Sequence, residues 1–427
     1  MNSVADRSRR TVVSRKRAAD LLERASELAS CTERPGQILR TFLSPAMDEV
    51  HRKLRPWFHS ASASTSVDDA GNFHALYRTD SEFAPKRLVI ASHLDTVANA
   101  GAYDGVLGVL MGLALIEALE EKRLSFEIEV IGFSDEEGTR FGIPFIGSRS
   151  LVGEGGDAAL LSAKDSAGVT VRDALEQYRR EHPEALPCVL TSNPTAYIEF
   201  HIEQGPVLES HGLPLGIVES IAGQSRCNLI FRGRSGHAGT SPMTLRHDAL
   251  AAAAEWMTRC EAIAAQTDGL VATIGKICAE PGAVNVIPGI LRCSLDVRHA
   301  DDVVRRRATD AILDTARGVA LRRGLSLEAK EYHSQSAVRL DTEMISLAEE
   351  AVGDSGRQCI RMTSGAGHDA MVVAPYLPSC MIFLRSPGGI SHHPDESVLM
   401  EDVEAAIEAG VHLLKRFELT SKVRQRV

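Results

Sequence analysis

The chain has 427 residues, more than a single hydrophobic core usually serves, so its length predicts two domains. Its composition, 44% hydrophobic and 24% charged, is typical of a globular protein, and its formal charge of -10 argues against nucleic acid as a partner. No apolar run approaches transmembrane length, and the basic residues near the N-terminus lead into a charged amphipathic segment instead of an apolar export signal. We therefore expect a cytoplasmic protein that does not bind membranes.

Alternating strand-like and helix-like segments predict an α/β fold in the first half of the chain. The predicted strands are Arg87–Ser92, Phe126–Phe133 and Ala196–Phe200, and each stops at a cluster of histidines or carboxylates. After the first strand, Asp104 opens an apolar helix that the pattern extends to about Glu121. Open α/β sheets place their sites just beyond the carboxyl ends of strands, so these clusters predict a functional site.

The pattern changes after about residue 214, where short strands and two long helices predict an inserted α+β domain. Its predicted elements are the strands Gly216–Ile221, Arg226–Arg232, Val271–Ile277 and Leu291–Arg298 and the helices His247–Ala265 and Asp301–Arg322. We expect the first sheet to resume at Leu325–Tyr332 and to finish with Cys380–Leu384, before a last helix at Met400–Phe417. The prediction is a catalytic domain of residues 1–213 and 327–427, with a mixed, mainly parallel sheet flanked by helices, and an insert of residues 214–326.

Six side chains at these strand ends and helix starts are imidazoles or carboxylates: His93, Asp104, Glu136, Glu137, His201 and His392. That mixture suits Zn²⁺, Mn²⁺ or a similar divalent ion, and it can hold a pair of ions. A pair needs a bridging carboxylate, with the ions roughly 3.5–4 Å apart, and Asp104 at a helix start is the natural bridge. Asp95, two residues beyond His93, is expected to orient an imidazole or a loop. Of the two adjacent glutamates, one can ligate metal while the other faces the substrate as general base.

The order of these motifs resembles the hydantoinase/carbamoylase branch of the aminoacylase and carboxypeptidase-G-like metallopeptidases. The motifs are His93-Leu-Asp95, Asp104-Gly105, Asp135-Glu136-Glu137-Gly138, His201-Ile-Glu203-Gln204-Gly205 and Ser391-His392-His393-Pro394. The branch contains N-carbamoyl-L-amino-acid hydrolases, allantoate amidohydrolases and β-ureidopropionases. The resemblance implies two divalent ions per subunit, Zn²⁺ or Mn²⁺ with Co²⁺ or Ni²⁺ as alternatives, and Glu136 as the base. It implies that the ligands are His93, Asp104 (bridging), Glu137, His201 and His392.

The resemblance also assigns roles within the insert, which would be a lid and dimerisation domain. His237 would reach the active site of a neighbouring subunit in a homodimer and donate a hydrogen bond to the attacked carbonyl oxygen. Asn285 and Arg298 would hold a substrate carboxylate, although a structural ion pair is an alternative for Arg298. Gln204 and the loop at Gly365-Ala366 would line the pocket, while the nearby His368 is either a pocket residue or a buried residue at a helix start.

The resemblance implies hydrolysis of the carbamoyl (ureido) C–N bond of a small carboxylate substrate, such as allantoate or an N-carbamoyl-L-amino acid, with release of ammonia and carbon dioxide. An aminoacylase or dipeptidase on the same scaffold is a rival interpretation, but the peptidase branches carry a carboxylate where His201 stands. The motifs would also permit a hydrolase of another C–N bond. A non-catalytic dimeric scaffold protein would be expected to lack at least one ligand, and none of the ligands is missing.

Overall fold

A computed structural model describes residues 2–79, 86–119, 124–190 and 193–424, with side chains described between residues 13 and 419 of those ranges. The chain divides into two compact units. The larger unit consists of Met1–Glu219 and Leu340–Val427, and the smaller unit is Ser220–Arg339. None of the helices in the described ranges is both long enough and apolar enough to span a bilayer.

The helices and strands of the two units are numbered in one series. The helices are α1 (Asn2–Ala29), α2 (Pro45–Ser60), α3 (Val106–Ala118), α4 (Ile146–Leu151), α5 (Ala158–Ser162), α6 (Val171–Glu181), α7 (Val207–His211), α8 (Ala249–Ala265), α9 (Asp302–Arg322), α10 (Thr342–Asp354), α11 (Asp369–Val373) and α12 (Met400–Arg424). The strands are β1 (Ser64–Val67), β2 (Phe73–Tyr77), β3 (Arg87–His93), β4 (Glu127–Phe133), β5 (Pro194–Ile202), β6 (Leu215–Ile221), β7 (Gly223–Arg232), β8 (Gly236–His237), β9 (Val271–Thr273), β10 (Ile277–Glu280), β11 (Val286–Ile287), β12 (Ile290–His299), β13 (Ser326–Gln335), β14 (Val338–Arg339), β15 (Cys359–Ser364) and β16 (Ser379–Leu384).

Several long helices start where an aspartate side chain satisfies the first backbone N–H groups. Asp248 caps α8, Asp301 caps α9 and Asp341 caps α10, and each carboxylate accepts a hydrogen bond from an N–H group two or three residues further on. Such a cap stabilises a helix by about 1 kcal/mol. These starts can be recognised in the sequence because the cap and the helix it serves are adjacent in the chain.

The larger unit is built on a mixed sheet in the order β1-β2-β4-β3-β5-β16-β6, with β15 beside β6. Its central strands β4, β3, β5 and β16 are parallel, and every residue of β4 and β16 is buried. Parallel strands buried on both faces need helices on both sides, and α3 packs against β3, β4 and β5. The predicted mixed sheet flanked by helices is confirmed. The predicted end of α3 near Glu121 lies outside the described residues.

The parallel arrangement collects the motifs at one edge of this sheet. The carboxyl ends of β3, β4, β5 and β16 lie side by side, because neighbouring parallel strands end at the same edge. Since α3 connects the end of β3 to the start of β4, it runs back along the sheet and begins at that same edge. Gly105 allows this close start: it has φ +68°, and a Cβ there would lie 2.5 Å from the ring of His93.

The smaller unit is an antiparallel sheet in the order β10-β12-β7-β13, with β9 also on β12. Helices α8 and α9 pack on each other and on β7 and β12. Their shared core includes Trp256 of α8, Ile312 of α9 and Phe231 of β7, each fully buried. A separate two-stranded pair, β8 with β11, lies in the same unit.

Three predicted strands differ from the structure, and for two of them the difference is the pairing partner. The segment expected to resume the first sheet, Leu325–Tyr332, forms β13 and pairs with β7 of the smaller unit. The segment predicted to open the insert, Gly216–Ile221, forms β6 and pairs with β16 of the larger sheet. The insert boundaries of 214 and 326 are accordingly corrected to Ser220 and Arg339. The strand predicted at Val271–Ile277 is two short strands, β9 and β10, that pair with different parts of β12.

Candidate metal centre

The larger unit brings the five predicted ligand side chains and the predicted base Glu136 together at the carboxyl edge of its sheet. His93 ends β3, the two glutamates follow β4, His201 lies near the end of β5, and His392 follows β16. Their ligand atoms fall into overlapping sets, in each of which all atoms lie within 4.8 Å of one another. The sets are His93 with Asp104 and His201, His93 with Glu136 and Glu137, and Asp104 with Glu137 and His392. This donor set of imidazoles and carboxylates fits a divalent metal ion.

Asp104 lies between the pair His93 and His201 on one side and His392 on the other. Its Oδ1 atom is 3.3 Å from Nε2 of His201 and 3.7 Å from Nε2 of His93. Its Oδ2 atom is 3.1 Å from Nε2 of His392. Asp104 is 3% exposed, and its Oδ1 accepts no hydrogen bond from the part of the chain that the structure describes. A buried carboxylate oxygen that accepts no hydrogen bond destabilises the folded protein, so Oδ1 is suited to bind a metal ion. Oδ1 faces His93 and His201, whereas Oδ2 faces His392.

Backbone carbonyl groups orient two of the imidazoles. Nδ1 of His93 lies 3.0 Å from the carbonyl oxygen of Asp95, and Nδ1 of His201 lies 2.9 Å from that of Ile202. A carbonyl oxygen can only accept, so each Nδ1 carries a proton and each Nε2 faces Asp104. Burial lowers the pKa of His201 to about 4, which keeps this ring neutral at neutral pH. Burial also lowers the pKa of His93, but the nearby carboxylates of Asp104 and Asp95 outweigh it and raise that pKa, so metal binding would displace a proton there.

Asp95 holds the segment that carries the two glutamates. Its carboxylate accepts hydrogen bonds from the backbone N–H groups of Glu136, at 2.9 Å, and Glu137, at 3.1 Å. Glu137 Oε1 lies 3.3 Å from Nε2 of His392, so Glu137 belongs to the ligand sets on both sides. Glu136 belongs to the set with His93 and Glu137. Burial raises the pKa of Glu136 well above its ordinary range, which is the environment of a carboxylate that accepts a proton.

The predicted pocket residue Gln204 contacts the ligands directly. Its side-chain amide donates hydrogen bonds to Oδ2 of Asp104, at 3.0 Å, and to the hydroxyl of Ser391, at 3.1 Å. The backbone of Gln204 is left-handed, with φ 60°, and its N–H group donates to the hydroxyl of Ser386. His392 is also left-handed, with φ 54°. Non-glycine residues rarely adopt this conformation, and active sites are among the places where residues held in it cluster.

The loop predicted to line the pocket follows β15. The Ser364 hydroxyl donates to the carbonyl oxygen of Ala366, which stabilises the turn at Gly365 and Ala366. His368 is buried at the start of α11, and its ring packs edge-on against that of His201 with 4.4 Å between centroids. Of the two interpretations of His368, the structure favours a buried residue at a helix start. The His368 ring packs against the imidazole of His201.

Two carboxylates near the site were not identified from the sequence. Glu199 is buried in β5 and accepts hydrogen bonds from the hydroxyl of Tyr197 and the N–H group of Ala370, both at 2.9 Å. Glu199 could have been recognised in the sequence as a charged residue in a mainly apolar strand, two residues before His201 and therefore on the same face of the sheet. The other is Glu396, four residues after His392, whose contacts depend on chain segments that are distant in sequence.

In the smaller unit, the structure places His237 beside Asn285. Strand β8 pairs with β11 so that His237 lies opposite Val286, and the N–H group of Ala238 donates to the carbonyl oxygen of Asn285. Both side chains are exposed. Nδ1 of His237 accepts a hydrogen bond from the N–H group of Gly239, so the proton of the neutral ring is on Nε2. His237 therefore offers a hydrogen-bond donor on an exposed loop.

Arg298 lies towards the far end of β12 and is engaged in an ion pair. Its Nε atom donates to Oδ1 of Asp296 and its Nη2 atom donates to Oδ2, both at 3.0 Å. Arg226 also donates to Oδ2 of Asp296. For Arg298, the sequence predicted either a contact with a substrate carboxylate or a structural ion pair, and the structure contains the ion pair. A substrate carboxylate would compete with Asp296 for the same guanidinium.

Comparisons with known proteins identify the family of the chain. The model of peptidase family M20/M25/M40 matches residues 89–416. Allantoate deiminase 1 of Glycine max is 35% identical over 430 residues, which covers 93% of this chain and 89% of the relative. The N-carbamoyl-L-amino acid amidohydrolase of Geobacillus stearothermophilus is also 35% identical, over 92% of this chain and 96% of the relative.

A solved structure shows the same fold across nearly the whole chain. The crystal structure of an amidase of the hydantoinase/carbamoylase family from Burkholderia multivorans matches with a TM-score of 0.87 and 30% identity, and the match covers 93% of this chain and 97% of that one. The resemblance inferred from the motifs is confirmed. The chain belongs to peptidase family M20/M25/M40, among the relatives that include the hydantoinase/carbamoylase amidases.

Proposed function

We propose that the protein is an amidohydrolase that uses two divalent metal ions to hydrolyse the carbamoyl (ureido) C–N bond of a small carboxylate substrate. The similar proteins named above are called an allantoate deiminase and an N-carbamoyl-L-amino acid amidohydrolase, and allantoate and N-carbamoyl-L-amino acids are the substrates we propose. Zn²⁺ and Mn²⁺ are the proposed ions, with Co²⁺ and Ni²⁺ as alternatives.

The position of Asp104 is the observation that carries this proposal. One of its oxygens faces His93 and His201, and the other faces His392, which is the arrangement that a carboxylate bridging two ions requires. Glu137 would complete the group around His392. An imidazole at position 201 separates this set from the peptidase pattern, in which a carboxylate stands there.

Each residue of the site has a part in the proposed reaction. Bound ions would supply a more acidic water molecule and positive charge near the attacked carbonyl group. Glu136 accepts a proton from the water as the water oxygen attacks the carbamoyl carbon, and the carbonyl oxygen becomes negative. Glu136 then gives that proton to the substrate nitrogen as its bond to the carbamoyl carbon breaks. The carbamate released decomposes to ammonia and carbon dioxide, and Asp95 keeps the glutamates in place throughout.

The substrate class can be tested by measuring ammonia release. We expect activity with allantoate or with one or more N-carbamoyl-L-amino acids, and little with dipeptides or N-acetyl amino acids, after Mn²⁺, Zn²⁺, Co²⁺ or Ni²⁺ is added. N-carbamoyl-β-alanine and a carbamoyl compound without a carboxylate complete the panel. Faster hydrolysis of dipeptides or N-acetyl amino acids, measured as amine release under the same conditions, would contradict the proposal and identify a peptidase or aminoacylase.

We also propose that the smaller unit is a lid and dimerisation domain and that His237 acts in the site of a partner subunit. Within the smaller unit, β8 and β11 lie beyond the Ile290 end of β12, whereas Arg298 is eight residues along that strand. At about 3.3 Å per residue, Arg298 is about 26 Å from Ile290, the end of β12 next to which the strand of His237 lies. A small substrate cannot contact both His237 and Arg298 of one chain. If both contribute to one site, they come from different subunits of a dimer, which is the commonest symmetric assembly.

Mixed dimers test this arrangement. His237→Ala should lower kcat about 10²–10³-fold, the usual effect of removing one donor to the reacting oxygen, and Glu136→Gln should inactivate its own site. A dimer of one His237→Ala chain and one Glu136→Gln chain should recover activity in one of its two sites, because that site combines an intact Glu136 with the partner's intact His237. The two chains should be co-expressed with different tags and purified by both.

Mixed dimers that are no more active than either parent would place His237 in its own chain's site or outside the chemistry. Arg246→Ala is a useful comparison, because Arg246 donates a hydrogen bond to the carbonyl oxygen of Ala238 beside His237. Its loss should disturb the loop without removing the imidazole, and it should therefore lower kcat less than His237→Ala does.

A further inference from the structure

Glu396 connects two segments of the larger unit that carry different metal-ligand candidates. It is 5% exposed. One oxygen, Oε1, accepts hydrogen bonds from the backbone N–H groups of Tyr103, at 2.9 Å, and Asp104, at 3.1 Å. The other, Oε2, accepts a hydrogen bond from the hydroxyl of Ser391, the residue before His392, at 3.2 Å. One buried carboxylate thus links the Asp104 loop to the His392 loop, although 292 residues separate Asp104 from Glu396.

Ser391 extends this link to the ligand atoms themselves. Its hydroxyl oxygen lies 3.3 Å from Oδ2 of Asp104 and accepts a hydrogen bond from the side chain of Gln204. Oδ2 is the Asp104 oxygen that faces His392. The contact of Glu396 with Ser391 therefore leads to the side of Asp104 that faces His392, where the second of the two proposed metal ions would bind.

Gly101 shows how closely the Asp104 loop approaches Glu396. A Cβ atom at Gly101 would collide with both the Cβ and the carboxyl group of Glu396. Only a glycine at this position lets the loop pass over the Glu396 side chain, so the sequence of the loop is adapted to the carboxylate beneath it.

His392 depends on such a link more than the other imidazoles do. The side chains of His93 and His201 are 2% and 1% exposed and are held by packing, whereas that of His392 is 48% exposed. An exposed side chain on a loop has more conformational freedom to lose when it binds an ion. A link from its own loop to the Asp104 loop limits that loss.

We propose that Glu396 is a positioning residue that sets the spacing between Asp104 and His392 and so determines the affinity of the second metal ion. This inference rests on the proposed function, because it assumes two ions. Residues that orient metal ligands through hydrogen bonds typically change metal affinity about 10–100-fold when they are replaced. The effect of Glu396 should fall on the ion between Asp104, Glu137 and His392, and much less on the ion near His93 and His201.

The test is a Mn²⁺ titration of the full chain after metal removal, followed by calorimetry and by counting bound ions. Wild-type protein should bind two ions. Glu396→Ala should bind the first ion with nearly unchanged affinity and the second about 10–100-fold more weakly, and kcat should recover towards the wild-type value at saturating Mn²⁺. Glu396→Gln keeps an oxygen that can accept from both N–H groups, so its second-site affinity should fall less than that of Glu396→Ala.

Two further variants make the result specific. Asp395→Ala is the matched control, because the Asp395 side chain is 78% exposed beside His393, and its metal affinities should equal those of wild type. Gly101→Ala leaves the carboxylate in the chain but displaces it, so it should weaken the second ion in the same way. It also provides the decisive measurement if Glu396→Ala does not fold.

Opposite results would overturn the inference in distinguishable ways. Glu396→Ala and Gly101→Ala proteins that bind both ions as tightly as wild type, with only a lower melting temperature, would show that Glu396 has a purely structural role. Equal weakening of both ions would show that it does not act on the second ion specifically. A wild-type protein that binds no ion and releases no ammonia from any ureido substrate would overturn the proposed function itself.

Discussion

Replacing Glu136 with glutamine should lower kcat roughly 10²–10⁴-fold while both metal ions remain bound, because general-base catalysis contributes about that much. The amide keeps the size of the side chain but cannot accept the proton of the attacking water. Glu136 is 7% exposed and joins the ligand set of His93 and Glu137, so its loss should leave the contacts around Asp104 in place. Steady-state kinetics with the best ureido substrate, together with a count of bound ions, measures both effects.

The neighbouring glutamate provides the contrast. Glu137 Oε1 lies 3.3 Å from Nε2 of His392, so Glu137→Gln should weaken metal binding, and its activity should improve as the metal concentration rises. Glu136→Gln activity should not respond to added metal. A nearly normal kcat for Glu136→Gln would mean that another group is the base, and loss of metal from that variant would mean that Glu136 is a ligand.

Removing the metal ions should abolish activity, and adding Mn²⁺, Zn²⁺, Co²⁺ or Ni²⁺ should restore it. The physical reason is that an unassisted carbonyl group is a poor target for water, and bound ions supply the positive charge that makes it a better one. Dialysis against a chelator, followed by metal analysis and ammonia release before and after each addition, measures the effect. The identity of the ion that restores the highest kcat would also select among the proposed metals.

Asp104→Asn is the control that connects this loss to the metal centre of the larger unit. The amide has no negative charge and only one oxygen, so it cannot bridge two ions as the carboxylate would between His201 and His392. Added metal should therefore restore the chelated wild-type protein but leave Asp104→Asn inactive. A fully active protein that contains no divalent ion would contradict the whole proposal.

The amino-acid sequence by itself determined the candidate ligands and their place in the fold. Strands β3, β4 and β5 are mainly apolar segments that end at His93, at Phe133 shortly before the glutamates, and near His201, and these are local patterns. The apolar helix after Asp104-Gly105 is equally local. Parallel strands with a helix between them have their carboxyl ends at one edge of a sheet, so the convergence of these residues followed from the pattern alone.

Only the tertiary structure decided which strands pair and which polar groups meet across the chain. The local sequence identifies β13 and β6 as strands but does not specify the sheet to which each belongs, and that choice depends on partners about 100 residues or more away. The hydrogen bonds from Tyr103 and Asp104 to Glu396 have the same origin, whereas the ion pair of Arg298 with Asp296 joins two residues of one strand. A local sequence shows that a residue can ligate or donate, whereas the partner it contacts is set by the packing of distant segments.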